Sequence, residues 1–146
     1  LDSISFHLPK IDGTRKEELR SLCMIKIRLP RLGEVLFGST HLGLSEPTRL
    51  LQAQKLNAII RTFSLPVIIG GDFNATPDSG PIRIMDSVMT RSCTSNCDMT
   101  IPARHPRTKI DYILYRPAGK FRVMQEKTID ETYASDHLPV LATFKL

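Results

Sequence analysis

Four stretches of this chain place Asp, Asn or His beside runs that suit a β-strand. They are Thr40-His41-Leu42, Gly70-Gly71-Asp72-Phe73-Asn74, Lys109-Ile110-Asp111-Tyr112-Ile113-Leu114 and Ser135-Asp136-His137-Leu138-Pro139-Val140. Carboxylate and amide oxygens suit a hard divalent cation, and imidazoles carry protons or neutralise oxyanions. Several strand ends bearing these groups are how phosphate and metal chemistry is commonly assembled on an α/β scaffold. Asp72 and Asn74 stand two apart, so in extended backbone both point to the same side. Taken alone, residues 67–76 describe a strand and an Asx turn as well as they describe a site. His41, on local evidence alone, reads as a satisfied structural histidine at a strand end.

The elements that would position these groups follow from the pattern. Residues 1–20 read as an irregular lead-in with Pro9 and Asp12-Gly13 as turn signals. Residues 22–29 and 34–40 read as strands joined by a turn at 30–33, most simply an antiparallel hairpin. Ser45 is a candidate helix cap, with Glu46 and Pro47 in the first turn. Leu50, Ala53, Leu56, Ile60 and Phe63 then recur at helical spacing, with Arg49, Gln52, Lys55 and Asn57 around the other sides. Val67-Ile68-Ile69 form a β-branched run suited to a strand buried on both faces, which Gly70 and Gly71 end. Residues 79–89 suggest a short helix opened by Pro81 with Ile82, Met85 and Met89 on one face. Residues 91–107 form a long polar loop that could border a site. Strand-like runs follow at 109–115, 121–126 and 138–144. There is no internal repeat, low-complexity tract or linker.

The 146 residues amount to one domain's worth of chain, and no apolar run approaches membrane-spanning length. A formal charge of +5, from 20 Lys and Arg against 15 Asp and Glu, suits a protein that meets phosphates but is far from a nucleic-acid arm. The basic residues, Arg49, Lys55, Arg61, Arg104, Arg107 and Lys109 among them, are scattered and read as solvated faces. Trp is absent, so no row of rings suggests base stacking. Cys23 reads as a buried small hydrophobe. Cys93 and Cys97 have a spacing that could close a small disulfide, and with only His105 near them a zinc site is disfavoured. The cysteines leave the compartment open between cytoplasmic and exported.

Taken in order, the four motifs resemble the endonuclease/exonuclease/phosphatase superfamily, which includes deoxyribonuclease I, abasic-site endonucleases, bacterial sphingomyelinases and inositol-polyphosphate phosphatases. The resemblance implies an α/β (α+β) fold, the deoxyribonuclease I-like four-layer sandwich, and hydrolysis of a phosphate ester dependent on Mg2+, with Mn2+ as an alternative. It implies catalytic roles for His41, Asp72, Asn74, Asp111 and His137. Asp72 would orient or deprotonate the attacking water. Asn74 would hold the scissile phosphate and that water, and His137 would neutralise phosphoryl oxygens. Asp111 would fix the tautomer of His137, and His41 would bind phosphate or assist the leaving group. Asp136, Asp72 and Asn74 would lie at or near the metal.

The matching part begins just upstream of Thr-His-Leu. Family members carry an earlier half that supplies an Asn and the Glu that is the principal metal ligand, and Glu17, Glu18 and Glu34 lie in the wrong context to replace it. Residues 1–146 are therefore expected to form the carboxyl-terminal part of one such domain, beginning at Leu1 with further polypeptide before it. Alone, this part is expected to be nearly inactive. A half sandwich leaves a sheet face uncovered, so it should pair with a second copy or travel with the missing half. Within this resemblance Thr-His-Leu favours the hydrolase and phosphodiesterase branches, and Leu-Gly-Leu-Ser with Arg49 and Gln52 is most similar to bacterial members, which implies phospholipid head groups, nucleotides or sugar phosphates as substrates. The alternatives are a nuclease acting on DNA or RNA and, in another class, an inactive binding or assembly module.

Overall fold

The structure is a computed structural model and describes residues 3–11 and 18–146. The Asp12-Gly13 turn and Glu17 lie outside the described residues. Eight strands and two α-helices follow one another as β1 (Ser3–His7), β2 (Ser21–Leu29), β3 (Gly33–His41), α1 (Glu46–Arg61), β4 (Val67–Asp72), α2 (Gly80–Asp86), β5 (Thr90–Arg91), β6 (Asp111–Arg116), β7 (Arg122–Thr128) and β8 (Val140–Lys145). The first six strands form one sheet in the order β1-β2-β3-β4-β6-β5, and β7 pairs with β8 in a second.

Alternation explains the inner face. In β2 and β3, Leu22, Met24 and Leu36 point to one side, where α1 and α2 cover them with Ala53, Leu56, Ile60, Ile82 and Met85. Val67, Ile69, Tyr112 and Leu114 extend this core across β4 and β6. Among the described residues, the opposite, outer face is covered at one end only. There Val35, Ile68, Tyr115 and Phe121 pack with Val123 and Phe144 of the β7–β8 hairpin. Tyr115, Phe121 and Phe144 meet edge to face, with centroids 5.2–5.8 Å apart.

β3 and β4 run parallel, and α1 makes the crossover that parallel pairing requires, whereas β4 and β6 are antiparallel. In this register His41 sits opposite Asp72, and Asp72 opposite Asp111. The three chemical side chains thus form one row across the outer face, beyond the end that the hairpin covers.

Several expectations need correction. Ser3–His7 is a strand paired with β2, not irregular lead-in. Its polar, half-exposed alternation is that of an edge strand, which apolar patterning does not reveal. Cys23 is exposed rather than buried, because its register puts it on the outer face. Gln52 and Asn57 are buried, not on a solvated side of α1. Gln52 accepts from Gly43 N–H through Oε1 and donates to the Pro9 carbonyl, and Asn57 donates to the Ile84 carbonyl. Each replaces water for loop or helix-end backbone. Lys109 is not solvated either: it is 3% exposed, and its Nζ lies 2.8 Å from Glu126 Oε1. Gly70 and Gly71 do not end β4, which runs through them to Asp72.

Candidate active site

The site begins with a glycine. A Cβ built on Gly71 would lie 1.9 Å from the Thr40 carbonyl oxygen, so only glycine lets β3 and β4 approach this closely. One residue further along each strand, His41 and Asp72 emerge side by side, with Nε2 and Oδ2 3.3 Å apart.

Asp72 and Asn74 do converge, but by turn geometry rather than strand pleating. Asn74 has φ +48°, a left-handed conformation that asparagine tolerates, and its N–H donates to Asp72 Oδ1 at 2.7 Å. This is the Asx turn, and it turns the Asn74 amide toward β3. There Nδ2 donates to the Leu42 carbonyl at 2.9 Å and lies 3.1 Å from His41 Nε2. Neutral His41 accepts from that amide; protonated, it donates to Asp72. The turn and site readings of residues 67–76 are therefore the same structure.

Across the row, Asp111 Oδ2 meets His137 Nδ1 at 2.9 Å. The imidazole arrives from the segment between β7 and β8, while the carboxylate stands on β6. The bond directs Nδ1–H at the carboxylate and leaves Nε2 for a ligand. Partial burial works against the imidazolium, but the hydrogen bond to Asp111, then the charges of Asp111, Asp72 and Asp136, raise the His137 pKa above 6.5. Asp72 is also raised above its usual 3.8. Burial is the largest cause, opposed by the Asn74 N–H, then reinforced by Asp111 and opposed by His41 and His137.

A carboxylate oxygen of Asp72, one of Asp111 and a ring nitrogen of His137 all lie within 4.8 Å of one another. Two carboxylates that disfavour each other's charge in one cleft fit a hard divalent cation, which would relieve that repulsion. Asn74, with its amide nitrogen engaged, has no hydrogen bond to its Oδ1 among the described residues, so that oxygen can also ligate. Asp136 stands apart from this group. Its side chain is exposed, 3.5 Å from Ser135 Oγ, and contributes charge to His137 rather than a converging ligand atom.

Beside the row lies a cleft of 480 Å³, with Phe37, Gly70, Ile113 and Pro139 among its walls and Asp72, Asp111 and His137 at its rim. Behind it, a polar network escaped sequence reading. Glu126 on β7 takes Lys109 Nζ and the Ser92 hydroxyl, and Lys109 also stands 5.5 Å from the Tyr112 ring centroid. The only signal available was a lysine at the start of a strand-like run, without any sign of its partner. Cys93 and Cys97 are joined by a disulfide in the adjoining loop.

The model of the endonuclease/exonuclease/phosphatase family matches residues 8–137. Searched against curated proteins, the sequence has no match. Among solved structures, a mannosyl-6-phosphatase of Bacteroides thetaiotaomicron is similar with TM-score 0.80 and 21% identity, over 100% of this chain and 66% of its own. An endonuclease/exonuclease/phosphatase family protein of the same organism gives TM-score 0.83 and 20% identity, over 99% of this chain and 64% of its own. D. rerio TDP2, complexed with a single-strand DNA product, gives TM-score 0.74 and 15% identity, over 100% and 68%. At these identities the likeness is one of fold, the deoxyribonuclease I-like α/β arrangement. The chain spans about two thirds of the length of these structures.

Proposed function

The chain belongs to the endonuclease/exonuclease/phosphatase family, and from that premise we propose that it carries the catalytic row of a metal-dependent phosphodiesterase. The observation that supports this most directly is the alignment of His41, Asp72 and Asp111 on one face, with His137 bonded to Asp111 at 2.9 Å. A phosphodiester resists attack because its oxygens repel the nucleophile. An enzyme must therefore supply positive charge and a positioned water. Mg2+ or Mn2+ would be held by Asp72, Asp111 and the Asn74 amide, and when bound it supplies charge to the phosphoryl oxygens. The remaining work falls to side chains. Asp72 orients water and takes its proton. His137, whose protonated form Asp111 favours, would donate from Nε2 to a phosphoryl oxygen. His41 stands at the other end of the row, where a leaving group or second phosphoryl oxygen would lie.

We further propose that residues 1–146 are the carboxyl-terminal part of a larger domain. The outer face supports this, since Phe37 is 46% and Ile25 39% exposed there. A further segment laid on that face would reach the cleft and bring the additional metal ligands that the family draws from its earlier half. A nuclease is the second reading. It draws on the hairpin closed by Ile101 and Thr108, whose exposed tip carries Arg104, His105 and Arg107 and bonds through Ala103 N–H to the Asp136 carbonyl.

The test is hydrolysis of bis-p-nitrophenyl phosphate with and without Mg2+ or Mn2+, on this chain and on the chain with its preceding polypeptide. Turnover is expected to require the metal and to fall by about 10²–10⁴ in His137→Ala and in Asp72→Ala. Undiminished turnover in either variant would remove the role assigned to that residue.

A further inference from the structure

Asp111 and His137 lie 26 residues apart, one on β6 and the other in the link between β7 and β8, yet their bond depends on a placement good to a fraction of an ångström. One buried residue touches the backbone beside each. Thr100 is 0% exposed and sits in the loop before β6. Its Oγ1 accepts from the N–H of Ile110 at 3.2 Å, one residue before Asp111. Its carbonyl accepts from the N–H of Leu138 at 2.7 Å, one residue after His137. We propose that Thr100 is a positioning residue, a bracket that sets the Asp111 carboxylate and the His137 ring at bonding distance.

Three features make the bracket firm. Thr100 N–H donates to the Thr108 carbonyl at 2.8 Å, and Ala103 N–H to the Asp136 carbonyl at 2.7 Å, so both approaching strands are tied to one short segment. Just upstream, Asp98 Oδ2 accepts from the N–H and hydroxyl of Thr128 at the end of β7. The Cys93–Cys97 disulfide lies in the same stretch. A hydroxyl is needed at residue 100 because the Ile110 N–H turns to Thr100 while its carbonyl takes Phe73 N–H, and apolar replacement would leave a part-buried donor unsatisfied.

The relevance to catalysis rests on the proposed phosphodiesterase reading, but the test does not use turnover. The ¹⁵N imidazole signals of His137 are recorded in the unmodified chain, Thr100→Val and Thr100→Ser, at a pH where the ring is neutral. The unmodified chain should show the Nδ1–H form alone. Thr100→Val should show loss of that single form toward the Nε2–H form that free imidazole prefers, and Thr100→Ser should restore it. A folded Thr100→Val with the unmodified spectrum overturns the proposal, as does a Thr100→Ser that behaves like valine. Should Thr100→Val not fold, amide exchange in the unmodified chain decides. The Ile110 and Leu138 protons should open together, with the same denaturant dependence, and Leu138 exchanging at least about tenfold faster than Ile110 overturns the bracket. The tautomer change without phosphodiester hydrolysis, once this chain is joined to the further segment proposed above, refutes the function and supports the positioning.

Discussion

An ionised Asp72 stands beside Asp111 in a cleft that withholds water from most of its surface, with a side chain 16% exposed. Its pKa is raised, so the sign of its contribution is the reverse of a salt-bridged aspartate. Stability from this group is full below about pH 3.8 and declines as pH climbs through the raised native value. Without metal at pH 8, Asp72→Asn should therefore stabilise the chain by ~1 kcal/mol while removing activity, a trade common at functional sites. Calorimetry should read this as a rise in Tm of about 2–4 °C. His137 is raised too, and its contribution is full below pH 6.5 and lost as pH rises through the native value. Tm followed from pH 6 to 9 should fall over that window in the unmodified chain and stay flatter in His137→Gln. The residue types of both groups were legible in the sequence. The charge that Asp111 places beside them was not, because its meeting with Asp72 arises from a register that pairs positions 39 residues apart, 72 with 111.

At the scale of elements, the approach of β3 to β4 at Gly71 sets the spacing of the row. Gly71→Ala would need the two backbones to separate, and a cost of about 3 kcal/mol or more is expected, read as a lower urea midpoint. The strands that were legible are those whose β-branched or alternating residues face a core, such as Val67-Ile68-Ile69. β1 was not, since an edge strand with exposed serines looks like loop. Gln52 and Asn57 read as surface because periodicity counts polarity and cannot see the backbone groups they satisfy. The convergence of Asp72 with Asn74 was read correctly from spacing two, for a wrong reason: a left-handed Asn74 brings the groups together, not the pleat. Thr100 and the Lys109–Glu126 pair were invisible because their meaning lies in contacts between segments distant in the chain.

For the whole molecule, the uneven covering of the sheet matters most. One face is sealed by α1 and α2, while among the described residues the other is covered only where β7–β8 lies. Beyond the hairpin, Phe37 lines both the site cleft and a second cleft of 410 Å³ that extends over Ser3, Ser5, Cys23 and Ile25. Such a face should make the chain self-associate at high concentration. Sedimentation equilibrium should show that tendency weakened in Phe37→Lys. No helix among the described residues is long and apolar enough to cross a membrane. The hairpin carries a further implication for heat. An isolated pair of strands has marginal stability, and here it is held by a few aromatic edges and by polar ties to Lys109, Asp98 and Thr100 rather than by a full layer. The imidazole of His137 hangs in the link between those two strands. Warming should therefore detach this flap, and the Thr100 loop with it, while the helix-backed sheet is still intact. The machinery would then fall silent at a temperature where the bulk of the chain, seen by circular dichroism, has yet to melt.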